Sequence, residues 1–251
     1  PCDESCVDRF VDDLEEVIYT TTNGRPAAFI AETIQGVTGY VVPPPLYFRK
    51  AAEVIRGYGG LLVVDEVQAG FGRTGGAWFA IEHWGVVPDI MVMAKGIAGG
   101  MPVGATITTD EIAGSWRGKT ISTFGGHPVA MASMSATLDV LRDEDAPANA
   151  EARGGRIRAG LEALAGRHDW IGDVRGMGLM QAMELVESPE TAEPDPRRAR
   201  ALLEAAREEG LLVGLGGFHN HVIRLGPNLL LTEEEADEGL ERLAAACETV
   251  A

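Results

Sequence analysis

Lysine is nearly absent from this chain. Of 21 basic residues only Lys50, Lys95 and Lys119 are lysines, and the rest are arginine. Cysteine is scarce as well: Cys2, Cys6 and Cys247 make no disulfide framework. Cys2 and Cys6 have the spacing to touch on a helix or in a turn. The nearest histidine in sequence is His83, so they read as free or structural thiols and no metal site is expected. No apolar run approaches the ~18 residues of a membrane-spanning helix. No signal peptide is visible, although a chain beginning at Pro1 leaves a leader open. Positive charge is outweighed heavily, and a net charge of −17 argues against nucleic acid as partner. That balance suits either a high-salt habitat or a GC-rich genome in which arginine displaces lysine. The chain is expected to be cytoplasmic, with no membrane contact.

What is present is ordinary for a globular protein: 45% hydrophobic and 24% charged residues in a chain of 251. Two short apolar runs, Leu61–Val64 and Ile90–Ala94, are rich in β-branched residues and bounded by Gly or Pro, and they predict buried strands. Ala27–Ile34 and Gly104–Thr108 predict two more. Helical spacing is expected across the first nineteen residues, with Val7, Phe10, Val11, Leu14, Val17 and Ile18 on the apolar face. A second helix is expected after Pro43–Pro45, stopping at Gly57–Gly60. This alternation implies a mostly parallel α/β sheet. Gly114–Gly126 reads as a loop. Pro128–Arg142 reads as a helix whose small residues suggest close packing against another helix or subunit. The Asp143–Pro147 run looks like a boundary, dividing a domain at 1–145 from a smaller α/β domain at 146–251. In the second part, helices are expected at Ala148–Arg167, up to Glu209, and at Thr232–Val250 behind a Thr-x-x-Glu capping box. Strands are expected at Gly178–Val186, Leu211–Leu215 and Val222–Leu225.

Asp65 ends the first apolar run and Lys95 ends the second. Ligands of open α/β sheets bind at the C-terminal edge of the strands, so this acid and this amine are expected on one edge. The plainer reading is a capping acid and a surface lysine. Against it, a chain so averse to lysine places one at the end of a buried strand, before Gly-Ile-Ala-Gly-Gly. The pair suits pyridoxal phosphate. A lysine amine forms a Schiff base with its aldehyde, and a carboxylate keeps the pyridine nitrogen protonated.

The motifs around this pair are long: V-D-E-V-Q-x-G-F-G-R-T-G, then P-D-I-x-x-x-A-K-G-I-x-x-G-x-P-x-G-A. With I-A-E-T-I-Q-G, S-T-F-G-G-H-P, G-D-V-R-G-M-G-L-M and I-R-L-G-P they run through essentially the whole chain. The chain resembles the class III aminotransferases, which are fold-type-I enzymes using pyridoxal 5'-phosphate. Its wording resembles their alanine–glyoxylate and β-amino-acid–pyruvate branch.

The resemblance implies that Lys95 is the catalytic, cofactor-bearing lysine. Asp65 faces the pyridine nitrogen and Gln68 the phenolic oxygen, while Val67 and Ile34 are apolar enough to pack on the ring. Thr123 matches a threonine that reaches the phosphate of the neighbouring subunit's cofactor, which implies a homodimer with shared sites. Arg224 matches the arginine that grips the substrate carboxylate, a role suited to its planar fork. Some relatives acting on ω-amino acids carry a glutamate after Ile-Gln-Gly that pairs off this arginine. Here that position is Val37, which favours small substrates with one carboxylate. Glu32 is expected to support the cofactor region, although Thr33 stands where the family has proline. His127 replaces the usual asparagine and is given no catalytic role. Arg175 is expected in a structural turn, and His219 and His221 in a loop rather than on a metal.

Against family chains Pro1 aligns inside the large domain. The N-terminal segment, the phosphate-binding Gly-Ser/Thr turn and the ring-stacking aromatic are therefore expected outside this sequence. The activity implied is ping-pong transfer of an amino group from alanine or a similar donor to glyoxylate or pyruvate. The rivals are an aminomutase or phospho-lyase of the same fold, and a non-catalytic partner lacking the phosphate cup.

Overall fold

The computed structural model describes residues 4–250, so Cys2 lies outside the described residues. Its first sheet has the order β1-β2-β3-β4, from strands Ala28–Glu32 (β1), Leu61–Asp65 (β2), Ile90–Met93 (β3) and Ala105–Thr108 (β4). The first three run parallel, with Glu32 opposite Asp65 and Asp65 opposite Val92. The fourth turns back antiparallel on β3. The sheet is thus parallel in its first two pairings only. The β-branched run of β2 is buried at Leu62, Val63 and Val64, as a strand covered on both faces should be.

Helix α1 (Glu4–Thr21) and helix α2 (Tyr47–Gly57) pack together, and α2 lies on β2. Phe48, Ala51, Ala52 and Ile55 of α2 are buried at helical spacing. Burying a side chain the size of Phe48 or Ile55 contributes about 1.5–3 kcal/mol. In α1, Val7, Val11 and Ile18 are buried, whereas Phe10 and Val17 are about half exposed, so the apolar stripe is narrower than the sequence reading made it. Trp84 closes the α2 end of the unit, donating from Nε1 to Pro44 O at 2.9 Å and meeting Phe48 edge to face. A short helix α3 (Asp110–Ser115), capped by Thr109, ends just inside the predicted loop, and α4 (Pro128–Asp143) follows.

These elements form one compact unit: the chain through Thr33, Pro43–Phe71 and Phe79–Asp143. A second unit gathers Ile34–Val42, Gly72–Trp78 and everything from Glu144 on. Its sheet is antiparallel throughout, order β5-β6-β8-β7, from Ile171–Met177 (β5), Met180–Leu185 (β6), Gly214–Gly216 (β7) and Val222–Leu225 (β8). Helices α5 (Ala146–Ala165) and α6 (Pro196–Glu208) pack on this sheet, and α7 (Glu233–Thr249) packs on both of them. Leu161, Leu164, Leu179, Met183, Leu185, Leu202, Ile223 and Leu243 fill the core between them. The expected capping box opens α7: Thr232 Oγ1 accepts from Glu235 N at 3.2 Å, and Glu235 Oε2 accepts from Thr232 N at 2.9 Å.

Strand β5 corrects the reading of Gly-Asp-Val-Arg-Gly as a turn, because Arg175 sits on that strand. Its ladder to β6 and two arginine clamps outweigh the glycines. Arg158 of α5 donates to Val174 O and Gly176 O, at 2.6 and 3.1 Å. Arg175 donates to Gly39 O at 2.8 Å and pairs with Glu184 at 2.5 Å.

Helix α5 crosses the β5–β6 turn at closest approach through Gly154. A Cβ added there would lie 2.2 Å from Gly178 O, a backbone atom with no rotamer to escape by. Gly154→Ala gains helix propensity of roughly 1 kcal/mol but meets that overlap. We expect a net loss of about 1–3 kcal/mol, read as a lower urea midpoint. An unchanged midpoint would mean that α5 does not press on this turn.

Candidate active site

The C-terminal ends of β2 and β3 are neighbours because the two strands pair in parallel. Asp65 is the last residue of β2, and Lys95 stands just past Met93, the last of β3. Asp65 is half-buried. Its Oδ1 accepts from Val67 N at 2.9 Å, which bends the chain away from the sheet and steadies the carboxylate. Glu66 N donates to Val92 O at 2.9 Å, so the strand pairing continues one residue beyond Asp65. Gly70 N donates to Glu66 O at 3.0 Å, closing a helical turn that carries half-buried Gln68.

Lys95 is exposed and has φ +53°, a left-handed backbone uncommon outside glycine. It opens a 3₁₀ turn, Lys95–Ala98, whose last two residues, Ile97 and Ala98, are completely buried. The turn is therefore anchored while the amine faces outward. Helix α4 holds it from the side. Ser133 Oγ donates to Ala98 O at 2.9 Å, and a Cβ on Gly99 would meet Thr137 Oγ1 at 2.9 Å. The small residues of α4 thus serve the lysine turn.

An amine, a carboxylate and an amide accordingly share one sheet edge in Lys95, Asp65 and Gln68. This donor set fits pyridoxal phosphate: an amine for its aldehyde, an anion for its pyridinium and an N–H donor for its phenolic oxygen. Glu32 lies beside Asp65 in register at the end of β1. Thr123 is exposed in the stretch before α4, and so is His127, just ahead of the helix. Ile34, one of the two apolar ring candidates, is buried in the second unit, while Val67 is half-buried in the first.

Arg224 belongs to the second unit, on β8. Its Nη1 donates to Gly36 O at 3.0 Å and its Nη2 to Leu215 O at 3.1 Å. Tyr40 lies under the guanidinium, 5.6 Å from ring centre to Cζ. Nε is buried with no partner among the described residues. Gly216 makes room for this arrangement, since a Cβ there would stand 2.6 Å from Nε. Arg224 is thus already a clamp on the backbone of its own unit, with N–H groups in reserve. His221 is buried with Nε2 3.4 Å from Glu184, and exposed His219 lies beside it. No cluster of three metal-ligating side chains exists among the described residues.

Two residues escaped the sequence reading. Glu66 is completely buried, and burial pushes its carboxyl up to about 7, against the opposing pull of the Ile81 and Ala80 amides. Its signal was the Asp-Glu pair at a strand end, which reads as two exposed acids. Arg73, in the Gly-Phe-Gly-Arg-Thr-Gly motif, donates to Pro227 O, and burial pulls its guanidinium below the usual range.

Comparison with known proteins bears on the family and the fold. The class-III aminotransferase family matches residues 2–247. An alanine–glyoxylate aminotransferase 2 homologue of Arabidopsis thaliana, named as mitochondrial, is 41% identical over 92% of this chain and 48% of its own length. An ethanolamine-phosphate phospho-lyase homologue of Caenorhabditis elegans is 34% identical over 94% and 52%. An alanine/serine racemase of Pyrococcus horikoshii is 38% identical over 97% and 51%. Among solved structures, an amine transaminase from an uncultivated Pseudomonas species, described as bound to pyridoxal phosphate, superposes with a TM-score of 0.92. It is 37% identical over 99% of this chain and 58% of that one. The chain spans about half the length of the curated relatives it matches. No described helix is long and apolar enough to cross a membrane. The parallel edge that carries Lys95 and Asp65 is thus the edge of a fold-type-I protein, and the chain belongs to the class III aminotransferases.

Proposed function

We propose that this chain carries the catalytic lysine of a transaminase moving an amino group from alanine, or a similar small amino acid, to glyoxylate or pyruvate. The observation that carries the reading is the parallel pairing of β2 and β3, which sets the exposed Lys95 amine and the Asp65 carboxylate on one edge. Pyridoxal phosphate, bound there, supplies an aldehyde and an electron-accepting ring. Lys95 would be the residue that holds it, and its amine, when free, would take the proton from the donor's Cα. Asp65 would keep the pyridine nitrogen protonated. Gln68 would donate to the phenolic oxygen. Ping-pong turnover follows, because the same residues serve both the donor and the acceptor.

Arg224 provides the carboxylate grip, through the N–H groups that its two backbone clamps leave over. With Val37 where a competing acid would stand, nothing in the Ile-Gln-Gly segment neutralises it, which suits substrates with a single carboxylate. Thr123 reaches the phosphate of a second copy's cofactor. This homodimeric reading draws support from the apolar side chains around Thr123: Trp116, Ile121 and Phe124 are 68, 96 and 80% exposed.

The similarity to a phospho-lyase favours one second reading, elimination of phosphate from an amino-alcohol phosphate. Turnover without any oxo acid would select it. A chain that takes up no cofactor would instead select the reading as a non-catalytic partner.

The experiment for the main reading is borohydride reduction of the chain with pyridoxal phosphate, followed by peptide mass spectrometry. We expect a reduced adduct on Lys95 that Lys95→Ala abolishes. An adduct of equal yield in the variant would sink the assignment. L-Alanine added without acceptor is expected to bleach the visible absorption of the bound cofactor.

Replacing Arg224 by lysine is expected to raise KM for alanine by about 10–100-fold, the worth of a charged hydrogen bond or two. The effect on kcat should be smaller, and an unchanged KM would remove Arg224 from the substrate site. In sedimentation, the chain is expected as a dimer that Ile121→Asp converts to monomer. A wild-type monomer at micromolar concentration would end the homodimer reading.

A further inference from the structure

Glu66 makes four hydrogen bonds to four separate backbone groups, all within the first unit. Through its own backbone it donates to Val92 O at 2.9 Å and accepts from Gly70 N at 3.0 Å. Through its side chain Oε2 accepts from Ala80 N at 3.1 Å, and Oε1 accepts from Ile81 N at 2.8 Å. Val92 is on the strand that leads to Lys95. Gly70 ends the turn that carries Gln68. Ala80 and Ile81 begin the 3₁₀ helix Ala80–Trp84, where the chain returns after Gly72–Trp78. Phe71 and Phe79 meet edge to face at 5.6 Å, where the chain leaves the unit and comes back.

Two consecutive amides aimed at two different oxygens need a carboxyl group, whose two oxygens both keep acceptor capacity with or without the proton. A glutamine would set its NH₂ against one of the N–H donors. The carboxylate is completely buried, and no lysine, arginine or histidine pairs with it among the described residues. The charge that acts on it is another acid, Glu82 on the 3₁₀ helix, while Asp65 is next in the chain and Glu32 stands opposite Asp65 on β1. The buried hydroxyl of Thr33 faces it without closing a hydrogen bond of good geometry.

We propose that Glu66 is the positioning residue of this edge: its buried carboxyl group latches the returning chain to the sheet and so sets where Gln68 stands beside Asp65 and Lys95. Its proton decides how firmly the latch holds. The carboxyl is pushed from its ordinary 4.5 up to about 7 in the closed state, mainly by burial. The closed state therefore holds the proton more tightly than an opened state in which Glu66 meets water. Opening becomes easier as pH rises from about 4.5 to about 7, and is level on either side of that window. The importance of Gln68 in this inference rests on the cofactor reading, but the latch itself does not.

The test is amide hydrogen exchange of the chain without cofactor, between pH 5 and pH 8, corrected for intrinsic rates. We expect the opening constant at Gln68, Gly70, Ala80 and Ile81 to rise by tens of fold, roughly, between pH 5 and pH 7. Amides of β8 in the other unit should show no such step. Glu66→Gln should open these amides at least about tenfold more at pH 5, the cost of one buried donor left unmet, and should erase the step. Thr33→Val, which leaves the latch in place, should move the step to higher pH. It serves as the second arm should Glu66→Gln fail to fold. Protection in the wild type that does not change with pH, or a step that survives Glu66→Gln or stays in place in Thr33→Val, overturns the proposal. Failure of borohydride labelling at Lys95 would overturn the cofactor reading and leave the exchange result standing.

Discussion

The parallel register of β2 against β3 is the constraint on which the rest of the first unit depends. Val63 faces Ile90, and Asp65 faces Val92. A slip of one residue would turn each β2 side chain to the opposite face of the sheet. The register is pinned at both ends. At one end Asp89 Oδ2 accepts from Leu62 N at 2.8 Å and pairs with Arg56. At the other, Glu66 N reaches Val92 O. Between these pins the strands are too short to wander, and the acid and the amine finish on one edge.

Much of this was legible because buried parallel strands announce themselves. Leu61–Val64 and Ile90–Met93 have no charge to interrupt them, and the residue that ends each is conspicuous. The direction of β4 was not legible, because Gly104–Thr108 carries the same pattern whichever way it runs. Phe10 and Val17 fit the helical period, yet α1 buries a narrower stripe than its pattern offers. Strand β5 was hidden by its glycines: its ladder partner β6 follows at once, but the clamps tie it to Arg158 on α5 and to Gly39. Asp65 and Lys95 stood out by position and rarity. Glu66 did not, because nothing local tells a buried acid from an exposed one. Its two partners, Ala80 and Ile81, come from the far side of a loop.

Several arginines of the second unit hold the chain to itself rather than only charging its surface. Arg73, Arg158, Arg175, Arg198 and Arg224 all donate to backbone carbonyls. Arg158 and Arg224 each bridge two carbonyls, which come from β5 in one case and from Gly36 and Leu215 in the other. A planar fork can span such pairs with little loss of rotamer freedom, and an ammonium on a flexible stem does so less well. Arg224 is the instructive case. Its clamps and Tyr40 already fix its guanidinium, so the grip we propose for it would be organised before any substrate arrives.

The same comparison gives the proposed transamination a reason for a lysine at position 95, in a chain with only two others. Attack on an aldehyde needs a neutral nitrogen with a free lone pair. A guanidinium stays charged to beyond about pH 12 and delocalises its lone pairs, so it can hold a carbonyl or a carboxylate but cannot attack one. An amine gives up its proton within reach of the physiological range when its surroundings favour it. In the transamination we propose, arginine therefore suits the places where a carbonyl or a carboxylate must be held, and lysine at position 95 the place where a bond must be made.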